Sequence, residues 1–82
     1  MNGDKQLFFI EKNNFTRIVG EQIRKYREEQ AHISQETLGE LTNYDRTYIG
    51  SIERGEKNAS FYAIYKILLA LKINPTEFFN NI

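Results

Sequence analysis

Two short helical segments, separated by only a few residues, constrain the fold more than any other feature of this sequence. Ser34 is a good N-terminal cap for the first segment, and Asn43, which tolerates a left-handed backbone, follows its end. Asp45 caps the second segment, and Gly55 stops it. The pattern predicts helices over 34–42 and 45–54 that meet at a tight turn.

Three further helices are predicted around this pair. Asn14 caps a first helix that ends near Gln30, Ser60 caps a fourth helix, and Asn74, followed by proline, opens a fifth. Apolar side chains recur at helical spacing in every segment, so each helix has a face for a shared core. The predicted core positions are Phe15, Ile18, Val19, Ile23, Tyr26, Leu38, Leu41, Tyr44, Ile49, Ile52, Phe61, Ile64, Ile67, Leu68, Leu71 and Phe78.

Two local features of the chain predict unusual backbone geometry. Gly39 lies inside a helix, where it costs about 1 kcal/mol relative to alanine, so we expect another helix to cross closely there. Between the first two helices, the segment QAHI at 30–33 has one residue more than a short turn requires, so this turn is expected to bulge.

Composition excludes several classes of function. The 82 residues include no cysteine and one histidine, His32, so we expect no disulfide and no metal site. There is no sign of a catalytic triad or of a glycine-rich phosphate loop, so an enzyme is not expected, nor is a cofactor. No apolar run is long enough to span a bilayer, and we expect a cytoplasmic protein. The formal net charge is zero, so any nucleic-acid binding requires a local positive patch.

Residues 19–79 resemble the helix-turn-helix domain of the phage-repressor-like family (lambda repressor and Cro, or Xre). The matching stretches are VGEQIR at 19–24, SQETL at 34–38, YIGSIERG at 48–55 and INPTEFF at 73–79. The segment DRTYIGSIERG at 45–55 is similar to the small controller proteins of restriction–modification systems, which regulate a neighbouring endonuclease and often themselves. The resemblance implies an all-α, compact five-helix lambda-repressor-like DNA-binding domain over 15–82.

Residues 1–14 precede the predicted domain, and we interpret them as an N-terminal arm. The apolar run LFFI at 7–10 could pack on the domain or on a second subunit. A frayed terminus is an equally good interpretation of this segment.

The resemblance places the helix from Asp45 to Arg54 in the major groove of double-stranded DNA. A sequence-specific regulator of transcription is therefore expected. The implied base-reading residues are Arg46, Thr47 and Ser51. Gly50 would permit close approach to the DNA. The implied backbone contacts are made by Gln35, Tyr48, Arg54, Lys57 and Asn58. Each of these side chains could instead be an ordinary solvated surface group.

A homodimer on a palindromic operator is expected, because one reading helix covers only a few base pairs. The resemblance places the dimer contact at the C-terminal element, where Phe79 and Ile82 are the candidates and Phe78 is expected to complete the core. All three could instead serve only the core. It also implies a structural ion pair between Arg27 and Glu53. RNA polymerase is a further candidate partner of such a regulator.

A protein-interaction module, such as an antitoxin that uses the same fold to bind a protein, is the alternative from another functional class. The run at 7–10 and the C-terminal phenylalanines could serve such a partner. RNA binding is less favoured, because the sequence shows no aromatic stacking platform and no strand pattern. The neighbouring gene discriminates between the first two functions: an endonuclease–methyltransferase pair favours a controller, and a toxin favours an antitoxin.

Overall fold

The computed structural model describes residues 11–82, which form five α-helices and, within that range, no strand. The helices are α1 (Lys12–Tyr26), α2 (Gln35–Thr42), α3 (Arg46–Glu53), α4 (Phe61–Ala70) and α5 (Pro75–Asn80). The all-α, five-helix architecture is therefore confirmed. No helix of this range is both long and apolar enough to cross a membrane. The predicted packing of the run at 7–10 lies outside the described residues.

Side-chain caps set the beginnings of four helices, as the sequence predicts. Each cap accepts a hydrogen bond from a backbone N–H in the first turn and satisfies a donor that the helix itself cannot. The capping residues are Ser34, Asp45, Ser60 and Asn74. Left-handed residues follow three of the α-helices, with φ of 61° at Asn43, 76° at Gly55 and 60° at Lys72.

The first helix begins earlier than the sequence predicts. α1 starts at Lys12, and the Phe15 N–H already donates a helical hydrogen bond to the Glu11 carbonyl at 2.9 Å. Asn14 is thus inside the helix, and its assignment as the N-terminal cap is wrong. The last three residues of the predicted arm, 12–14, are helical. The apolar periodicity begins only at Phe15, so it carried no signal for the exposed turn that precedes it.

The connection from α1 to α2 contains the expected bulge. α1 continues into a π-helical turn, Arg27–Ala31, which ends at His32 in a left-handed conformation with φ of 54°. The Arg27 carbonyl accepts from the backbone N–H groups of both His32 and Ile33. A π turn takes up one residue more than an α turn, so the longer connection is absorbed without breaking the helix.

The core lies between α1, α3, α4 and α5, and α2 adds a single large apolar side chain, Leu38. Three predicted core residues are wrong: Phe15 is 39%, Leu41 60% and Phe61 85% exposed. α2 instead buries Thr42, whose hydroxyl donates to the Leu38 carbonyl at 2.8 Å and so needs no other partner. Phe61 is the first residue of α4. It lies outside the part of the core that the apolar stripe of α4 covers.

Two helical glycines allow close backbone contacts. A Cβ atom at Gly20 in α1 would overlap the Ile52 carbonyl oxygen and lie 2.8 Å from that of Glu53. A Cβ at Gly39 would lie 2.5 Å from the Tyr44 carbonyl oxygen. The neighbour of Gly39 is therefore the backbone of the turn after α2 and not the crossing helix that we expected. The absence of a side chain at Gly20 brings α1 onto the C-terminal end of α3.

Gly20→Ala is expected to destabilise the protein by about 1–3 kcal/mol, because rigid backbone must move to admit the methyl group. Gly50→Ala is the matched control, since a Cβ there would meet only mobile side-chain ends, Arg54 Nη1 at 3.1 Å and Gln35 Oε1 at 3.4 Å. We expect that control to change stability by less than about 1 kcal/mol. Urea denaturation measures both, and equal effects would contradict the close contact between α1 and α3.

Candidate nucleic-acid interface

The buried side of α3 fixes this helix onto the domain. Ile49 is fully buried and Ile52 is 2% exposed, and α3 packs against both α1 and α2. At the N-terminal end of the same helix, Arg46 and Thr47 are exposed. Gly50 is buried beside the side-chain ends of Gln35 and Arg54, and its role in close approach to DNA stays a prediction. The exposed end of α3 is thus a polar surface on a rigid support.

A buried ion pair holds the C-terminal end of α3 against the domain. Arg27 donates from Nε to Glu53 Oε2 at 2.6 Å and from Nη2 to Oε1 at 2.9 Å. The two side chains are only 8% and 2% exposed. The third guanidinium nitrogen, Nη1, donates to the Ile33 carbonyl at 2.9 Å. The hydrogen bond to Glu53 raises the pKa of Arg27. The negative charge of Glu53 acts in the same direction and helps offset the desolvation of the two groups.

Gln35, the first residue of α2, joins this network. Its Nε2 donates to Glu53 Oε1 at 3.0 Å. The side chain is half-buried, and one amide hydrogen is engaged by the carboxylate. The second amide hydrogen and the backbone at the start of α2 are the parts of this residue that can contact a phosphate.

The polar residues of α3 differ in how freely they can meet a ligand. Within residues 11–82, the Arg46 side chain has no hydrogen-bonding or ionic partner. The Thr47 backbone N–H is donated to Asp45 at 2.8 Å, which lowers the pKa of that carboxyl. Ser51 is half-buried, and its hydroxyl donates to the Tyr48 carbonyl at 2.7 Å. Of the three predicted base-reading residues, Arg46 and Thr47 lie together on the exposed surface, and Ser51 is partly withdrawn.

The predicted backbone contacts flank this surface. Arg54 is exposed and donates to Glu56 at 2.9 and 3.1 Å, which raises the pKa of Arg54 and lowers that of Glu56. Such an exposed pair is weak, so a phosphate can replace Glu56 as the partner. Lys57 and Asn58 are exposed in the following loop. Tyr48 is half-buried, and burial first, then the proximity of Tyr44, raises its pKa.

Comparisons with known proteins agree with this geometry. The helix-turn-helix family model matches residues 23–78. The control protein C.MunI of Mycoplasma sp is 38% identical over 63 residues, covering 77% of this chain and 85% of that protein. The crystal structure of the restriction–modification controller protein C.AhdI from Aeromonas hydrophila has a TM-score of 0.72 at 39% identity, covering 78% of this chain and 96% of that one. This chain belongs to the helix-turn-helix family of restriction–modification controller proteins.

A third controller protein, C.Esp1396I, has been solved as a tetramer in complex with its natural operator of 35 base pairs. Its TM-score is 0.73 at 33% identity, covering 80% of this chain and 86% of that one. The family resemblance that the sequence carries at 19–79 is thus confirmed.

An aromatic face on α4 is the feature that the sequence-based predictions missed in this controller protein. Phe61 is 85%, Tyr62 66%, Tyr65 50% and Leu69 51% exposed. The three aromatic residues of this face border, together with α5, an apolar groove of about 630 Å³ that Phe79 also lines. A signal for it was present, because α4 has more apolar residues than the single stripe Ile64, Ile67, Leu68 and Leu71 can account for. Ile82, the other predicted dimer residue, is half-buried but does not border the groove.

Arg27→Met is expected to destabilise the protein by about 3–5 kcal/mol, because it leaves the Glu53 carboxylate buried without its cation. Arg24→Met is the matched control: Arg24 lies about one turn earlier, on α1, but its ion pair with Glu28 is exposed, and such pairs contribute less than about 1 kcal/mol. The free energy of unfolding in urea measures both.

Removing both charges should relieve much of this loss, so Arg27→Met combined with Glu53→Leu is expected to be more stable than Arg27→Met alone. A cost for Arg27→Met no larger than that for Arg24→Met would show that the buried pair does not constrain the fold.

Proposed function

We propose that this chain is a sequence-specific regulator of transcription that binds a palindromic double-stranded DNA operator as a homodimer and controls a restriction–modification system. The observation that carries the proposal is Arg46, which is exposed and has no hydrogen-bonding or ionic partner among residues 11–82. It lies at the N-terminal end of a helix whose other side is held by Ile49, Ile52 and the Arg27–Glu53 pair. A reading helix needs this combination of a free polar end and a fixed orientation.

Arg46 and Thr47 are the proposed base-reading residues. The Arg46 guanidinium can donate twice to guanine O6 and N7, and the Thr47 hydroxyl or methyl group can contact a base edge. Ser51 is proposed for a further contact once its hydroxyl turns away from the Tyr48 carbonyl. The proposed backbone contacts are made by Gln35, Tyr48, Arg54, Lys57 and Asn58. Two of them, Arg54 and Lys57, are cations, and they supply local positive charge on a chain whose net charge is zero.

The proposed dimer contact is the aromatic face of α4 together with Phe79 and Ile82 of the C-terminal element. Exposed aromatic side chains at this density are rare on monomers and typical of interfaces. The Phe79 ring also stacks on that of Phe15, with 6.5 Å between the ring centres, and meets that of Phe78 edge-on at 5.1 Å. These contacts hold the Phe79 ring in place at the groove. The tetrameric, operator-bound relative supports an oligomer on DNA as the functional form.

We also propose RNA polymerase as a further partner and the cytoplasm as the location, because a transcription regulator acts where its operator and promoter lie. Whether the operator overlaps the promoter or lies upstream of it then decides between repression and activation. The same reading surface serves both outcomes.

Arg46→Ala is expected to remove the preference for operator over random duplex while leaving the circular dichroism spectrum unchanged. A bidentate arginine–guanine contact contributes about 1–3 kcal/mol of discrimination, and a homodimer makes two. The operator is obtained by selection from randomised duplexes, and fluorescence anisotropy gives both dissociation constants. Arg24→Ala, an exposed arginine of α1, is the control and should keep the preference. Retained discrimination in Arg46→Ala would show that this residue does not read bases.

Phe61→Asp is expected to convert the dimer to monomer at micromolar concentration in analytical ultracentrifugation. Phe61 is 85% exposed and begins α4, where an acidic residue suits the helix dipole, so the fold should survive. Leu41→Asp, at a residue that is 60% exposed on α2, is the matched control and should remain dimeric. An unchanged dimer in Phe61→Asp would place the subunit contact elsewhere.

A further inference from the structure

The Lys66 ammonium lies close to the faces of two tyrosine rings. Its Nζ is 4.4 Å from the ring centre of Tyr44 and 5.6 Å from that of Tyr62. Both distances are within the range of about 6 Å at which a cation is attracted to an aromatic face. Tyr62 is one turn earlier on α4, whereas Tyr44 lies in the turn between α2 and α3. Lys66 therefore connects α4 to this turn.

Tyr44 continues this connection to α3. Its ring meets that of Tyr48 edge-on, with 5.0 Å between the ring centres. It also directly precedes Asp45, the residue that caps α3, and its carbonyl oxygen is the atom that approaches Gly39. A cation that holds the Tyr44 ring thus restrains both the N-terminal end of α3 and one of its side chains, Tyr48.

No carboxylate accounts for the position of Lys66. Among residues 11–82, no acidic oxygen lies within 4.0 Å of its ammonium group, and the side chain is half-buried. Within the described residues, the two tyrosine rings are the only partners of the ammonium group, and no ion pair there competes with them. Partial desolvation strengthens such contacts relative to fully exposed ones.

We propose that Lys66 is a positioning residue for operator recognition, which acts through Tyr44 to orient the N-terminal end of α3. The proposal rests on the proposed DNA-binding function. Lys66 is not proposed to touch the DNA: its effect passes through the ring of Tyr44 to Tyr48 and to the Asp45 cap. This role separates it from the cations Arg54 and Lys57, which we propose as direct phosphate contacts.

Lys66→Met tests this proposal, because it keeps the apolar stem and removes the cation. We expect operator binding to weaken about three- to tenfold, while binding to random duplex changes less than about twofold. The slope of log affinity against log salt concentration should stay unchanged, whereas loss of one direct phosphate contact in each subunit would lower its magnitude by about 0.9 per contact, or about 1.8 for the dimer. Lys66→Arg, which restores a cation, should recover the affinity. Lys25→Met, which removes an exposed lysine of α1, is the control and should bind the operator as the wild type does.

A double-mutant cycle tests whether the effect of Lys66 on operator binding passes through Tyr44. In a Tyr44→Leu background, Lys66→Met should weaken operator binding no further. Unchanged operator binding in Lys66→Met would overturn the inference. So would equal weakening on both duplexes with a reduced salt slope. A third contrary result is that Lys66→Met weakens operator binding in the Tyr44→Leu background as much as it does in the wild type. A wild-type protein without operator preference would instead refute the proposed function, and this inference with it.

Discussion

The buried pair of Arg27 and Glu53 is the interaction on which the rest of the structure depends. Three separate elements converge on it: the π-helical turn supplies Arg27, the end of α3 supplies Glu53, and the start of α2 supplies Gln35. Two charges at 8% and 2% exposure must meet in good geometry, because neither has water to compensate for a poor contact. The pair therefore restricts the orientation of α3 more than its net contribution to stability suggests.

The rest of the fold extends this restriction to the surface. Gly20 allows α1 to contact the same end of α3, and Ile49 and Ile52 hold its middle. Asp45 caps the opposite end, and the contact of Lys66 with Tyr44 lies beside it. Every described contact of α3 is thus on its inner side or at its ends. The outer side at Arg46 and Thr47 remains available to a ligand.

Local sequence signals predicted most of the fold, because caps and periodicity act within one helix. Ser34, Asp45, Ser60 and Asn74 cap as expected, and Asn43 is left-handed. The errors arose where tertiary position decides. Leu41 has an apolar side chain but is on the outer side of α2, and α1 extends back to Lys12 over polar residues that have no apolar period.

The candidate site was predictable only in part. Family resemblance indicated Arg46, Thr47 and the Arg27–Glu53 pair by their positions in the chain. The bonds from Gln35 to Glu53 and from Lys66 to Tyr44 join residues far apart in sequence, so no periodicity or spacing could indicate them. Of the exposed aromatic side chains of α4, Phe61 was assigned to the core, and Tyr62 and Tyr65 were given no role.

Dimethyl sulphate protection on the selected operator tests the central claim most directly, because the reagent methylates guanine N7 in the major groove and adenine N3 in the minor groove. If the outer side of α3 enters the major groove, binding protects guanine N7 at symmetry-related positions in both half-sites, and Arg46→Ala removes that protection. Protection confined to adenine N3, or none at guanine N7, would contradict the account.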